Sequence, residues 1–351
     1  MHDAPIRVDG HLDLAYNAVA LGRDLTLDLD DLRRREGRRR ETAMVTWPEL
    51  RRADVAVVFG TLFAKPHEPP PPGAPAAADR GVAGYRDAAG AHAQALAQLD
   101  WYEAAQDAGH ARLILDRDDL DAHLAERAAS DPDLRRTGVV VLMEGADPVR
   151  SPEDLASWYE RGVRLLGPAW HRTRYCGGTT APGGLTELGE ALIDAMSDLA
   201  LPLDVSHLAE ESFWQALARH RGPVLASHAN ARALTPTDRH LSDPMLDALA
   251  ERDAVVGLVL GNPFLDPSAT DRPAPFDAVV RQAAHVAGRV GWSRLAIGSD
   301  LDGGFGREET PVELDRMGDF ARLAAAVPPE HRDGFLGGHW LAFLRRALPS
   351  R

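Results

Sequence analysis

Short, almost purely apolar runs recur along this chain, and several of them break off into a histidine or an acid. A run of four to eight apolar residues bounded by turn residues reads as a strand buried on both faces, the kind found in parallel sheets. The earliest is Val8-Asp9-Gly10-His11-Leu12-Asp13. Residues two apart in an extended strand face the same side, so His11 and Asp13 aim at one point. An imidazole and a carboxylate converging in this way make half of a zinc site. Alone, a His-x-Asp triplet is a weak signal, and an ordinary polar strand end accounts for it. Its recurrence further along the chain changes that balance.

Taken in order, Ile6–Asp13 and Ala53–Ala64 read as strands, the second too apolar for a sheet edge. Asp30–Arg40 between them is a solvated helix or loop, with Arg38, Arg39 and Arg40 on the surface. Lys65–Pro75 holds six prolines and reads as a loop, with His67 exposed in it. Helices are expected over 84–108 and 117–129, on either side of a short strand, Arg112–Leu115. Val139–Met143 runs into Glu144-Gly145, and Val163–Leu166 leads into Trp170-His171 and a glycine-rich turn, Cys176–Gly178. A helix over Leu185–Leu199 precedes three strand-and-tip units, Leu201–His207, Pro223–His228 and Ala254–Leu260, with helices at 209–219 and 243–252 between them. A helix over 276–290, the strand Leu295–Asp300 and a helical stretch over 312–347 complete the chain.

About eight buried strands separated by helices is the alternation of a (β/α)8 or TIM barrel, and 351 residues fit one such catalytic domain, 1–351, ending in C-terminal helices. A doubly wound open sheet is the rival, weakened by the lack of Gly-x-Gly-x-x-Gly after the first strand. The formal net charge of −14 argues against nucleic acid and against an anionic membrane surface as partners. One cysteine, Cys176, excludes an intrachain disulfide and reads as an inert buried thiol. With no basic and apolar leader at Met1–Pro5 and no run near the length of a membrane span, a cytoplasmic protein is the expectation.

His11, Asp13, Glu144, His207, His228 and Asp300 each stand at the end of an apolar strand. In a parallel barrel all strand C-termini open on one face, so these groups would converge there. Burying that many ionisable groups together costs several kcal/mol unless a divalent cation pairs them. Three carboxylates and three imidazoles exceed what one tetrahedral ion takes in a catalytic site, and suit two ions sharing a carboxylate, with a bridging hydroxide as nucleophile. The chain's one lysine, Lys65, falls in the proline-rich loop, so no carbamylated lysine is at hand and Glu144 is the available bridge.

The segments VDGHLDLAYN (8–17), LMEG (142–145), LDVSHL (203–208), PVLASHA (223–229), RHLSD (239–243) and IGSDLDG (297–303) resemble the membrane (renal) dipeptidase family of zinc peptidases, in order and spacing across nearly the whole chain. The resemblance implies a (β/α)8 barrel of the amidohydrolase superfamily, two zinc ions, dipeptide substrates, with acceptance of a C-terminal D-residue left open, and a homodimer. It implies that His11 and Asp13 hold one ion, that His207 and His228 hold the other, and that Glu144 bridges them. Asp300 would be the acid and base, and Arg239 would grip the substrate carboxylate with its planar fork. One departure stands out: where the family has Thr-His after the fourth strand, with that histidine polarising the scissile carbonyl, this chain has Ala169-Trp170, and His171 comes one place later. Either the backbone bulges so that His171 serves, or Trp170 lines the pocket and the metal alone polarises the carbonyl. Two further functions stay open: an amidohydrolase acting on a non-dipeptide amide, lactone or N-acyl amino acid, and a metal-binding barrel without catalysis.

Overall fold

The computed structural model describes residues 5–37, 41–67, 84–269 and 272–350; the Arg38–Arg40 run and most of the proline-rich stretch lie outside these. Eight parallel strands form a ring in chain order: β1 (Arg7–Leu12), β2 (Val55–Phe63), β3 (Thr137–Glu144), β4 (Val163–Gly167), β5 (Leu203–Asp204), β6 (Val224–Ala226), β7 (Val255–Leu258) and β8 (Leu295–Ile297). Helices run between them, giving the (β/α)8 barrel. The seam between β8 and β1 is closed by a side chain. The Asp9 carboxylate accepts the Ser299 N–H at 2.8 Å and the Ser299 hydroxyl, and the Asp300 N–H donates to the His11 carbonyl at 3.2 Å.

The strand pattern sorts residues to two sides by parity. Val139, Val141 and Met143 of β3 pack in the outer core under the helices. Val140 and Leu142 pack in an inner core with Val57, Phe59, Leu165 and Leu225. Glu144 shares parity with Val140 and Leu142, so it points into the mouth of the barrel. β1 reaches the same result through an irregularity. Asp9 pairs with Val58 but Leu12 with Gly60, so one extra residue sits on β1. This bulge turns His11 inward although Val8, of opposite parity, already faces the inner core.

Among the strands expected from sequence, the one near Arg112–Leu115 is present as Ala111–Leu113 but lies off the ring, paired with the start of β3. The glycine-rich turn after β4 is a two-stranded hairpin, Cys176–Gly178 with Ala181–Leu185. The stretch 312–347 is less helical than its composition implies. An α-helix forms only over His339–Ala347, preceded by 3-10 and π turns. Pro328 and Pro329 lack the N–H groups a continuing helix needs, and Gly334, Gly337 and Gly338 favour the unfolded chain. That last helix plugs the barrel end opposite the site. Trp340, fully buried, donates its indole N–H to the Ile297 carbonyl at 2.8 Å, and His339 bonds the Leu295 carbonyl at 2.7 Å. A Cβ on Gly10 would meet the Trp340 ring at 2.7 Å, so only glycine fits there.

Candidate metal centre

All six groups expected at strand tips gather at one end of the barrel, each at most 8 % exposed. Only His11 and Glu144 belong to strands; the others follow β1, β5, β6 and β8 by one to three residues. His207 and Asp300 reach the site from left-handed backbone, with φ of 66° and 58°. Such a conformation costs about 1–3 kcal/mol in a non-glycine residue and persists only where neighbours hold it. The neighbours here are acids buried below the tips. Asp204 accepts the N–H groups of Ser206 at 3.0 Å and Ser227 at 2.9 Å, tying the backbone before His207 to that before His228. Asp302, with burial raising it to about 6, accepts the N–H groups of Met44 and Val45 and fixes the loop just beyond Asp300.

The donor atoms fall into two groups that share Glu144. His11 Nε2 lies 3.5 Å from Glu144 Oε2 and 3.9 Å from Asp13 Oδ1. On the other side, His207 Nε2 lies 3.1 Å and His228 Nε2 3.6 Å from Glu144 Oε1. Asp300 Oδ1 stands 3.9 Å from His11 Nε2. Ligands about 2.1 Å from one tetrahedral ion stand about 3.4 Å from one another, which is the spacing seen here. Two observations on these atoms fit divalent cations. The buried His11 Nε2 has no hydrogen-bond partner among the described residues. The Nε2 atoms of His207 and His228 face each other at 3.0 Å, and their Nδ1 atoms are engaged by Thr179 Oγ1 at 3.0 Å and Ser227 Oγ at 2.8 Å. With Nδ1 protonated in those bonds, both Nε2 lone pairs point at one spot, which needs a proton or a metal between them. Ser227 also meets His11 Nδ1 at 3.3 Å, and Thr61 holds Asp13, so each of these candidate ligands is oriented from behind.

The charges agree with this reading. Burial, with Glu144 adding to it, raises Asp13 to about 6, and burial lifts Asp300 well above the usual carboxylate range. Burial pulls His207 down to about 4 and His228 well below the usual imidazole value. Burial also lowers His11, but Glu144, Asp300 and Asp13 together push it up to about 10. A cation shared among them restores ionised carboxylates beside neutral imidazoles.

Above these groups opens a cavity of about 860 Å³. Arg239 lines it and is 5 % exposed, so it is no surface arginine. Its Nη2 donates to the His228 carbonyl at 2.8 Å, whereas Nε and Nη1 have no partner among the described residues, and burial holds the guanidinium below its ordinary pKa. Trp170 and His171 both reach the wall. The Trp170 ring packs against Phe63 at 5.1 Å, and His171 Nδ1 lies 2.7 Å from the Thr179 carbonyl. That bond places the ring proton on Nδ1 and leaves Nε2 of a neutral His171 an acceptor, so it has no N–H to offer a substrate carbonyl there. Cys176 is buried and pushed up to about 12 by that burial, an inert thiol. Sequence reasoning missed Asp9, Asp204, Asp302 and Thr179, which act through backbone and ring nitrogens. It also set Lys65 aside as a loop residue, but Lys65 stands two places beyond β2 and lines the cavity. Asp9 stands two residues before His11 and Asp204 three before His207, acids that were visible in the sequence.

The family model for membrane dipeptidase (peptidase family M19) matches residues 1–330. The chain is 32% identical over 261 residues to an uncharacterised protein in the pqqA 5′ region of Klebsiella pneumoniae, covering 69% of this chain and 90% of that one. Among solved structures it superposes on dipeptidase AC, a metallopeptidase of family M19, with a TM-score of 0.81 at 23% identity, covering 99% of this chain and 100% of that one. It also superposes on a Rhodobacter sphaeroides metallopeptidase liganded with a phosphinate mimic of the dipeptide L-Ala-D-Ala, with a TM-score of 0.76 at 24% identity over 98% of this chain and 100% of that one. The chain therefore belongs to the membrane dipeptidase family, peptidase family M19, and is a metal-dependent hydrolase of that type.

Proposed function

We propose that the protein hydrolyses dipeptides with two divalent ions, zinc being the first choice for a histidine and carboxylate donor set. The observation that carries this reading is Glu144, whose two oxygens each stand within 3.6 Å of a different histidine group. His11 and Asp13 would hold one ion, His207 and His228 the other, and Glu144 both. When bound, such a pair supplies Lewis acidity for the scissile carbonyl and lowers the pKa of water.

The chain's own residues do the rest. Arg239 binds the substrate's C-terminal carboxylate through its unpartnered nitrogens, which sets the peptide bond over the centre. Asp300 takes the proton from the attacking water as the C–O bond forms, and delivers it to the leaving nitrogen as the C–N bond breaks. Asp300 Oδ1 stands 3.9 Å from His11 Nε2, at the edge of the centre, where its carboxylate is placed to accept that proton and pass it on. Trp170 and Phe63 exclude water along the wall. His171, tied to the Thr179 carbonyl, is held away from that role, and bound divalent ions would supply the polarisation of the scissile carbonyl.

The test is a panel of L,L and L,D dipeptides alongside lactones and N-acyl amino acids, with Asp300→Asn in parallel. Dipeptide turnover that falls by about 10²–10⁴ in the variant, with metal content unchanged, supports the reading. Turnover confined to the non-peptides would favour the second reading, which rests on Trp170 standing where the family's histidine would be. Metal binding without turnover of any of them would leave a non-catalytic barrel.

A further inference from the structure

Lys65 is the only lysine in a chain with 39 lysines and arginines. It is half-buried at the cavity wall, and among the described residues its ammonium has no ion pair or hydrogen bond; only its backbone N–H is engaged, donating to Gln94 Oε1 at 3.1 Å. The ring order places it. β2, which Lys65 follows, and β6, which Arg239 follows, are four strands apart in either direction around an eight-strand ring, so the two cations stand on opposite walls. The metal-ligating candidates lie between them, on or after β1, β3, β5, β6 and β8.

The acids on the wall outside that group are already answered. Glu41 acts on the charge of Arg23, and Asp238 accepts the Thr180 N–H at 2.7 Å. Among the described residues Lys65 has no such counterpart. Phe63, two residues before it, and Trp170, packed on Phe63, line the same cavity and offer an apolar surface for a methylene stem.

On the dipeptidase reading above, Arg239 takes the C-terminal carboxylate and the scissile bond lies over the centre. What reaches the opposite wall is then the N-terminal residue's side chain. We propose that Lys65 selects dipeptides whose N-terminal residue is acidic, glutamate or aspartate, by pairing its ammonium with the side-chain carboxylate. A neutral side chain leaves the ammonium unanswered in a partly desolvated site, and a basic one is repelled.

The test compares kcat/KM of the zinc-loaded enzyme for Glu-Ala, its neutral isostere Gln-Ala, and Arg-Ala, in the wild type, Lys65→Met and Lys65→Glu. Affinities of the three proteins for phosphinate mimics of Glu-Ala and Gln-Ala are measured by calorimetry alongside. The expected result is a wild-type preference for Glu-Ala over Gln-Ala of about tenfold or more, falling towards one in Lys65→Met and shifting to Arg-Ala in Lys65→Glu. Dipeptide turnover with a wild-type ratio near one, or a ratio unchanged in Lys65→Met, overturns the proposal and leaves the dipeptidase reading intact. If no dipeptide is cleaved, that reading falls, and the mimics still decide on Lys65: a Lys65-dependent preference for the acidic mimic supports its role, and equal affinities refute it.

Discussion

Replacing Arg239 by methionine should make the substrate-free protein more stable and nearly inactive. The guanidinium is 5 % exposed, its Nε and Nη1 are unpartnered, and burial outweighs the attraction of Asp300, Glu144 and Asp204 in setting its pKa. An effective penalty of several kcal/mol for a buried ion is therefore only partly offset. The offsets are the bond to the His228 carbonyl, about 1.5–3 kcal/mol for a charged donor, and the Phe264 ring 5.5 Å away, about 0.5–1 kcal/mol. Methionine nearly fills the space and keeps the aromatic contact. The balance favours Arg239→Met by about 1–2 kcal/mol, a rise of about 1–3 °C in Tm, read by calorimetry on the metal-loaded protein. The same change removes a buried charge partner for the substrate carboxylate, worth about 2–5 kcal/mol, so kcat/KM for a dipeptide should fall by about 10² or more. A variant destabilised by more than about 1 kcal/mol, or one that keeps kcat/KM within tenfold, would show that the guanidinium is satisfied by the protein itself and does not wait for a carboxylate.

Three other outcomes follow from the geometry. Glu144→Gln should lower the metal content below that of the wild type and reduce Tm under metal-replete conditions, since a neutral amide cannot bridge two cations; metal analysis and a thermal melt check this. Gly303→Ala would put a Cβ 1.8 Å from Asp300 Oδ1, so kcat should drop by about 10²-fold while bound metal is retained. His123 and His220, away from the centre, are held neutral by burial and lowered to about 4. The unfolded chain therefore binds protons that the folded one refuses below pH 6.5, and each costs stability at up to about 1.4 kcal/mol per pH unit as the pH falls from 6.5 towards 4. Urea melts across that range should show the slope, and His123→Gln should reduce it by about one proton.

How far the sequence carries depends on how local each signal is. The six tip residues were legible because each follows an apolar run within three residues, and because a barrel sends all such tips to one face. The means by which they converge were not. The bulge in β1 that turns His11 inward depends on pairing with β2, and the left-handed turns at His207 and Asp300 depend on Asp204 and Asp302, whose partners lie up to 258 residues away. The burial of Arg239 was not legible, because it comes from Phe264 and the loop carrying His228. Lys65 was hidden by its proline-rich surroundings, although composition alone marked it as unusual. The C-terminal stretch was overread as helix because apolar spacing survives in 3-10 and π turns, where prolines and glycines break the ladder.

The most direct test of the account is a zinc titration of the metal-free protein, with dipeptide hydrolysis read at each point. The account predicts activity that rises with added zinc, completes at two equivalents per chain, and is removed by a chelator. Full activity at one equivalent, or two equivalents tightly bound with no dipeptide cleaved, would contradict it.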